Sequence, residues 1–177
     1  LSLLQNHRHA KVWVGSKMGL DISFGNNIKK ISEEFADDYN HQTHVNIPDN
    51  DYFYAQQLPI THGHYSFDSY GSFHLGSYGT YNSWRNLLSR IALGVSASAV
   101  WNDRNRFCNS PFYELIDFSD CEGVIGSIAS AKLSRDFTEN RERIFAHHEA
   151  DEWFRGKYDS FATAFSVASD NGFVRFH

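Results

Sequence analysis

Apolar and polar residues alternate over residues 11–15 (KVWVG) and 20–24 (LDISF), the two-residue period of a half-buried strand. Over residues 26–40 the period changes. Ile28, Ile31, Phe35 and Tyr39 recur at helical spacing with Lys and Glu between them, which predicts an amphipathic helix. Residues 41–77 have no helical period. Pro48 and Pro59 punctuate them, and THVNI, YFYA, HYSF and SFHLGS read as strands or irregular loops. A helix is expected over 80–92, with Tyr81, Trp84, Leu88 and Ile91 on one face and Gly94 as its stop, then a short one over 96–101. Pro111 suits the first turn of a helix over 111–118, where its missing N–H is not needed. After an irregular break at 119–126, residues 127–149 are expected to be helical and to bury Ile128, Leu133, Phe137 and Ile144. A last helix over 151–169 carries a stripe of Trp153, Phe154, Tyr158, Phe161 and Phe165. Asn171-Gly172 stops it, and 173–176 alternates like a closing strand.

Strands early and helices late predict the α+β class: a single domain with a small, mostly antiparallel sheet packed against several helices. The sheet should combine the N-terminal strands, the 60–76 region and the C-terminal strand. Trp84, Leu88, Ile91, Phe112, Leu115, Leu133, Phe161 and Phe165 form the expected core. Residues 1–17 read as an N-terminal extension to a domain over 18–177, with Met18-Gly19 as an alternative start.

Composition narrows the function classes. The 177 residues carry a formal charge of −5 without a basic stripe, which argues against binding a nucleic-acid polymer through its phosphates. The longest uncharged apolar stretch, residues 91–101, is far below the ~18–20 residues of a membrane span, so no membrane partner is expected. Cys108 and Cys121 have no metal-type spacing and form no disulfide framework, which suits a reduced cytoplasm. Aromatic residues reach 16 %, enough to fill a core and line a recognition surface as well.

Candidate chemistry centres on residues 62–84, where Tyr65, Phe67, Tyr70, Phe73, Tyr78, Tyr81 and Trp84 alternate with glycine and serine. Gly76-Ser77-Tyr78-Gly79-Thr80 leads into a helix whose first N–H groups could hold a phosphate, with Arg85 one turn inside. The structural alternative is that Ser77 or Thr80 caps the helix and the rings fill the core. A second candidate is Ser119-Asp120-Cys121-Glu122-Gly123. Its two carboxylates could bind a cation or act as acid and base, or could cap the next turn. The ligand-binding set is therefore His74, Ser77, Tyr78, Tyr81, Asn82, Arg85, Ser119, Asp120 and Glu122. His62 and His64 share a face if they lie on a strand, and with His74 and Asp68 or Asp120 they could reach one metal. No zinc signature accompanies them, so neither a metal nor a cofactor is expected. The chain has no GxSxG, P-loop, Rossmann glycine set or HExxH.

Met18-Gly19-Leu20-Asp21, the run from Gly76 through Ser77-Tyr78 to Trp84-Arg85, and Phe118-Ser119-Asp120-Cys121-Glu122-Gly123 resemble an uncharacterised family of small bacterial and phage-encoded proteins. Its members open with Met-Gly-Leu-Asp, carry Ser-Tyr-x-x-aromatic-x-x-aromatic-Arg and Ser-Asp-Cys-acidic-Gly segments, and close on a helix and a short strand. The resemblance implies a phage or bacterial setting and no particular chemistry. The leading expectation is a non-catalytic binding protein, a phage accessory factor that engages a small nucleotide-like ligand or a host protein. The alternative is a hydrolase using Asp120 and Glu122, metal-assisted through His62, His64 or His74. A third reading is an assembly module whose aromatics form a homo-oligomer interface. The binding and hydrolase readings share one geometric expectation, that the segments 77–85 and 119–123 meet in space.

Overall fold

The alternation that starts at Leu20 continues for eleven residues, and in the computed structural model it is a single strand, β1 (Leu20–Lys30). The structure describes residues 19–32, 40, 42–47, 61–118 and 123–177. The extension 1–17, the strand expected over 11–15, the YFYA segment, Phe35 and Tyr39 lie outside them. Then follow β2 (His44–Ile47), β3 (Gly63–Gly76), α1 (Tyr78–Leu93), α2 (Ala97–Asn102), α3 (Arg104–Phe107) and α4 (Tyr113–Asp117). The chain closes with β4 (Gly123–Gly126), α5 (Ser127–Phe145), α6 (Glu152–Ala168) and β5 (Phe173–Phe176). The strands form one curled antiparallel sheet in the order β2-β3-β1-β5-β4, within a single α+β domain. HYSF and SFHLGS are one continuous strand. The irregular break expected over 119–126 is corrected at its end, where 123–126 form β4 by pairing with β5, and no helix was expected at α3.

The helix expected from residue 26 is corrected: residues 26–30 belong to β1. Tertiary bonds satisfy the backbone there, since Asn27 N–H donates to the Asp170 carbonyl (3.1 Å) and Ile28 N–H to that of Asn171 (2.9 Å). Two bulges then decide the shape of the β1–β3 hairpin. Between the pairs Phe24/Gly71 and Asn26/Asp68, two steps along β1 match three along β3; between Asn26/Asp68 and Lys29/Ser66 the excess is reversed. Ser69 and Asn27 sit at these points with φ of 52° each, and Asn27 Nδ2 donates to Asp68 Oδ2 at 2.6 Å. A bulge shifts side-chain alternation by one position. Leu20, Ile22 and Phe24 on β1, with Phe73 and Leu75 on β3, therefore face the helices, whereas Ile28, Tyr65 and Phe67 face the other way. On that side they join Val45, Ile47, Val124 and Phe173 in a second, smaller cluster.

The helices cover the first face. Ser77 Oγ accepts from Thr80 N–H (3.1 Å) at the start of α1, and Gly94, at φ 74°, ends it. Ser96 and Asp151 cap α2 and α6 in the same way. Phe161 is the hub of the main core, its ring centroid 4.8 Å from Trp84 and 5.2 Å from Phe73. All eight expected core residues are buried. Ile128 and Trp153 are not, at 56 % and 43 % exposed. At about 100° per residue, Ile128 lies roughly 140° around α5 from Leu133, and Trp153 is a full residue off the Phe154–Tyr158–Phe161 line. Pro111 precedes α4 rather than lying in its first turn. Phe112 adopts φ 61° because its ring fills a gap beside Phe137 (5.0 Å) and its N–H donates to Asp136 Oδ2 (2.9 Å).

Lys132 ties α4 to α5, donating to Glu114 Oε2 (2.7 Å), Asp136 Oδ2 (2.9 Å) and the Ser110 carbonyl (3.1 Å). Burial pushes the Glu114 carboxyl above its ordinary value of 4.5, with the Lys132 bond opposing the shift. A folded pKa above the unfolded one makes the contribution of Glu114 to stability greatest below the ordinary value, and that contribution is lost as pH rises through the raised one. Urea denaturation of wild type and Glu114→Gln between about pH 4 and pH 7 should show wild type losing ground to the variant as pH rises. A difference constant with pH would contradict this.

A Cβ on Gly25 would lie 2.4 Å from the Phe67 ring, which is itself buried. Gly25→Ala should therefore cost about 1–3 kcal/mol in chemical denaturation, the usual range for overfilling a packed site. Ser69→Gly, which relieves a left-handed serine, should be neutral or stabilising in the same assay.

Candidate functional site

The helix start that the sequence singles out carries its own cap. Ser77 caps α1, and its Oγ also lies 2.9 Å from Thr80 Oγ1. Tyr81 and Trp84 are fully buried, so neither ring is available to stack a ligand base. Tyr78 is 47 % exposed and remains on the surface beside the cap.

Arg85 is buried, and its role is visible in what it touches. Its guanidinium lies between the rings of Tyr81 (4.9 Å) and Trp101 (4.8 Å). Nη1 donates to the Phe118 carbonyl and Nη2 to Asn82 Oδ1. Tyr81 Oη donates to the Leu115 carbonyl (3.1 Å) and Trp101 Nε1 to that of Ile116 (2.9 Å). Three side chains from α1 and α2 thus satisfy carbonyls at the end of α4, and the cation stands at the negative end of that short helix. The spacing Tyr81, Trp84, Arg85 serves helix packing. Asn82 orients the arginine.

Ser119, Asp120, Cys121 and Glu122 lie outside the described residues. Their neighbours are placed: the Phe118 carbonyl accepts from Arg85, and Gly123 pairs with Phe176 in the sheet. The helix-start motif therefore reaches the residue next to Ser119.

His62, His64 and His74 do not gather around one point. The strand between His64 and His74 spans roughly 33 Å at ~3.3 Å per residue, and the Ser69 bulge interrupts it. Among the described residues none of the three belongs to a group of metal-type ligands. His74 Nδ1 instead faces Asp21 Oδ1 across the β1–β3 ladder at 2.7 Å. Asp68 is held by Asn27. Cys108 is an exposed free thiol.

Chemistry that the sequence reading missed gathers on the sheet face turned away from the helices. A cavity of about 220 Å³ is lined there by Ser23, His44, Val45, Phe67, Tyr70, Phe173, Arg175 and His177. Its floor is aromatic: the Phe67 ring meets Phe173 edge-on at 5.1 Å and lies 6.1 Å from Tyr70. The polar rim places His177 Nε2 3.2 Å from Ser23 Oγ, and His44 Nδ1 2.8 Å from Thr43 Oγ1. Arg175 is the one lining side chain with a permanent charge, and none of the described lining side chains is a carboxylate. Period-two alternation through Phe173–Phe176 could have placed Arg175 and His177 on one face. Nothing in sequence spacing would have set Tyr70 beside them, because the Ser69 bulge decides its side.

The chain matches no family model, no curated protein and no solved structure. No helix among the described residues is long and apolar enough to cross a membrane.

If Arg85 is a packing residue, Arg85→Ala should cost about 2–4 kcal/mol in denaturant unfolding, from buried charge-assisted bonds and lost ring contacts. Arg85→Lys should recover little, because an ammonium cannot reproduce the planar fork. A wild-type melting curve for Arg85→Ala would refute the packing role.

Proposed function

We propose that this protein is a non-catalytic binding protein whose ligand is a small nucleotide-like anion, taken up on the open face of the sheet. The observation that carries the proposal is the composition of the cavity: a guanidinium and two imidazoles beside an aromatic floor. Arg175 offers a planar, bidentate donor for phosphate, and His177 and His44 add further donors when protonated. Phe67 and Tyr70 give a planar base an apolar surface. At about 220 Å³ the cavity is below the ~300–1,000 Å³ of drug-sized sites, so it would enclose the phosphate or the base of a mononucleotide and leave the rest in solvent.

Ligand binding is a better fit than hydrolysis at this face. The Ser23–His177 pair could activate a nucleophile, but acyl transfer also needs N–H donors directed at a developing oxyanion. Ser23 pairs with Ser72 on one side and Arg175 on the other, so its strand backbone is committed to the sheet. The phage or bacterial setting belongs to the same proposal and comes from the motif resemblance.

Calorimetric titration with AMP, GMP, CMP and UMP, and with inorganic phosphate and adenosine as partial ligands, tests the reading. A mononucleotide should bind saturably and more tightly than either partial ligand. Arg175→Gln should weaken it at least tenfold, about 1.4 kcal/mol, with an unchanged circular dichroism spectrum. Absence of saturable binding by all four nucleotides, or equal affinity in Arg175→Gln, would sink the proposal.

A further inference from the structure

The turn between α5 and α6 carries His147, His148 and Glu149 in succession. One ligand atom from each lies within 4.8 Å of the others. We infer that this turn is a surface site for a divalent transition-metal ion of the zinc or nickel type, with His147, His148 and Glu149 as ligands and water completing the shell. The site is separate from the sheet-face cavity and does not depend on it.

The donor set selects the ion class. Two imidazoles and one carboxylate suit Zn²⁺, Ni²⁺, Co²⁺ or Cu²⁺, whereas Mg²⁺ and Ca²⁺ prefer all-oxygen shells. Three protein ligands leave open positions, as in sites that keep a bound water. The backbone is already fixed. His147 N–H donates to Ile144 (3.1 Å), Ala150 N–H to His147 (3.0 Å) and Asp151 N–H to Glu149 (3.0 Å), and Ala150 is buried. Metal bonds of about 2.0–2.2 Å require ligand atoms roughly 3–3.5 Å apart, so closure needs side-chain rotation of about an ångström. The two histidine rings stack at 4.5 Å and 28°. Glu149 N–H donates to His147 Nδ1 (3.3 Å), so an ion taking that lone pair displaces this bond.

Arg90 gives the site a distinctive property. Its guanidinium bonds the Glu149 carboxylate, so that ligand is already engaged. A bound ion must therefore compete with Arg90. Removing the arginine should tighten metal binding, whereas removing a histidine should weaken it.

Calorimetry with ZnCl₂ on the full chain, repeated with NiCl₂ and MgCl₂, tests this. Wild type should take up one Zn²⁺ with measurable affinity and show no heat with Mg²⁺. Zinc affinity should fall at least tenfold in His147→Ala/His148→Ala and rise severalfold in Arg90→Gln. Zinc uptake that survives the double histidine substitution unchanged would place the ion elsewhere and overturn the inference. So would an Arg90→Gln variant, folded by circular dichroism, that binds zinc no more tightly than wild type.

Discussion

Two residues held at positive φ, Asn27 and Ser69, set which side of the sheet each following side chain faces. Their opposed bulges cancel in register, so β1 and β3 stay paired along almost their whole length, yet both strands reverse their alternation at the same height. One end of the hairpin directs its apolar residues to the helices, and the other directs them to the opposite face. A regular hairpin with these residues would have left Tyr65 and Phe67 on the helix side. The second apolar cluster, and the cavity beside it, exist because of that reversal. Close approach supports the geometry: Gly25 lies under the Phe67 ring and Gly71 under Phe24, where a Cβ would collide.

On the helical side, organisation comes from an aromatic centre and polar fasteners around it. Phe161 meets rings from β3, α1 and β5, so the last long helix is registered against the sheet and the first helix together. Tyr81, Arg85 and Trp101 bind the carbonyls that end α4, and Trp84 Nε1 donates to the Phe154 carbonyl (3.2 Å). Each of these side chains is mostly apolar with one polar end. Burying the ring or stem while satisfying a backbone carbonyl avoids the desolvation cost of an unpaired group. Arg85 meets that condition incompletely, since its Nε is buried without a partner.

Charge is distributed unevenly between these surfaces. The chain is acidic overall, but many of its carboxylates are engaged: Asp117 by Arg104, Glu114 and Asp136 by Lys132, Asp21 by His74, Glu149 by Arg90. The cavity on the open sheet face is lined by Arg175 and two histidines. β2 and β5 supply these groups, with β3 and β1 hydrogen-bonded between them, so the polar atoms have a rigid base.

Local rules sufficed wherever a segment satisfies itself. The sequence alone established the α+β class, a helix start capped by Ser77 or Thr80, the stop at Gly94, the buried face of α1, that of α6 apart from Trp153, and the closing strand, because capping chemistry and side-chain period act over a few residues. It offered Arg85 only as an anion-binding cation, with nothing to choose a packing role instead. The choice lies in Phe118 and Trp101, which are distant in sequence and adjacent in space. Tertiary structure decided the rest. Ile28 is in a strand despite its helical spacing because Asp170 and Asn171 accept the neighbouring N–H groups, and four-residue β4 forms because β5 supplies its partner. Tyr70, Arg175, His177 and His44 meet on one face through strand pairing and a bulge. No spacing along the chain encodes that, since strand pairing joins residues whose separation in sequence is arbitrary.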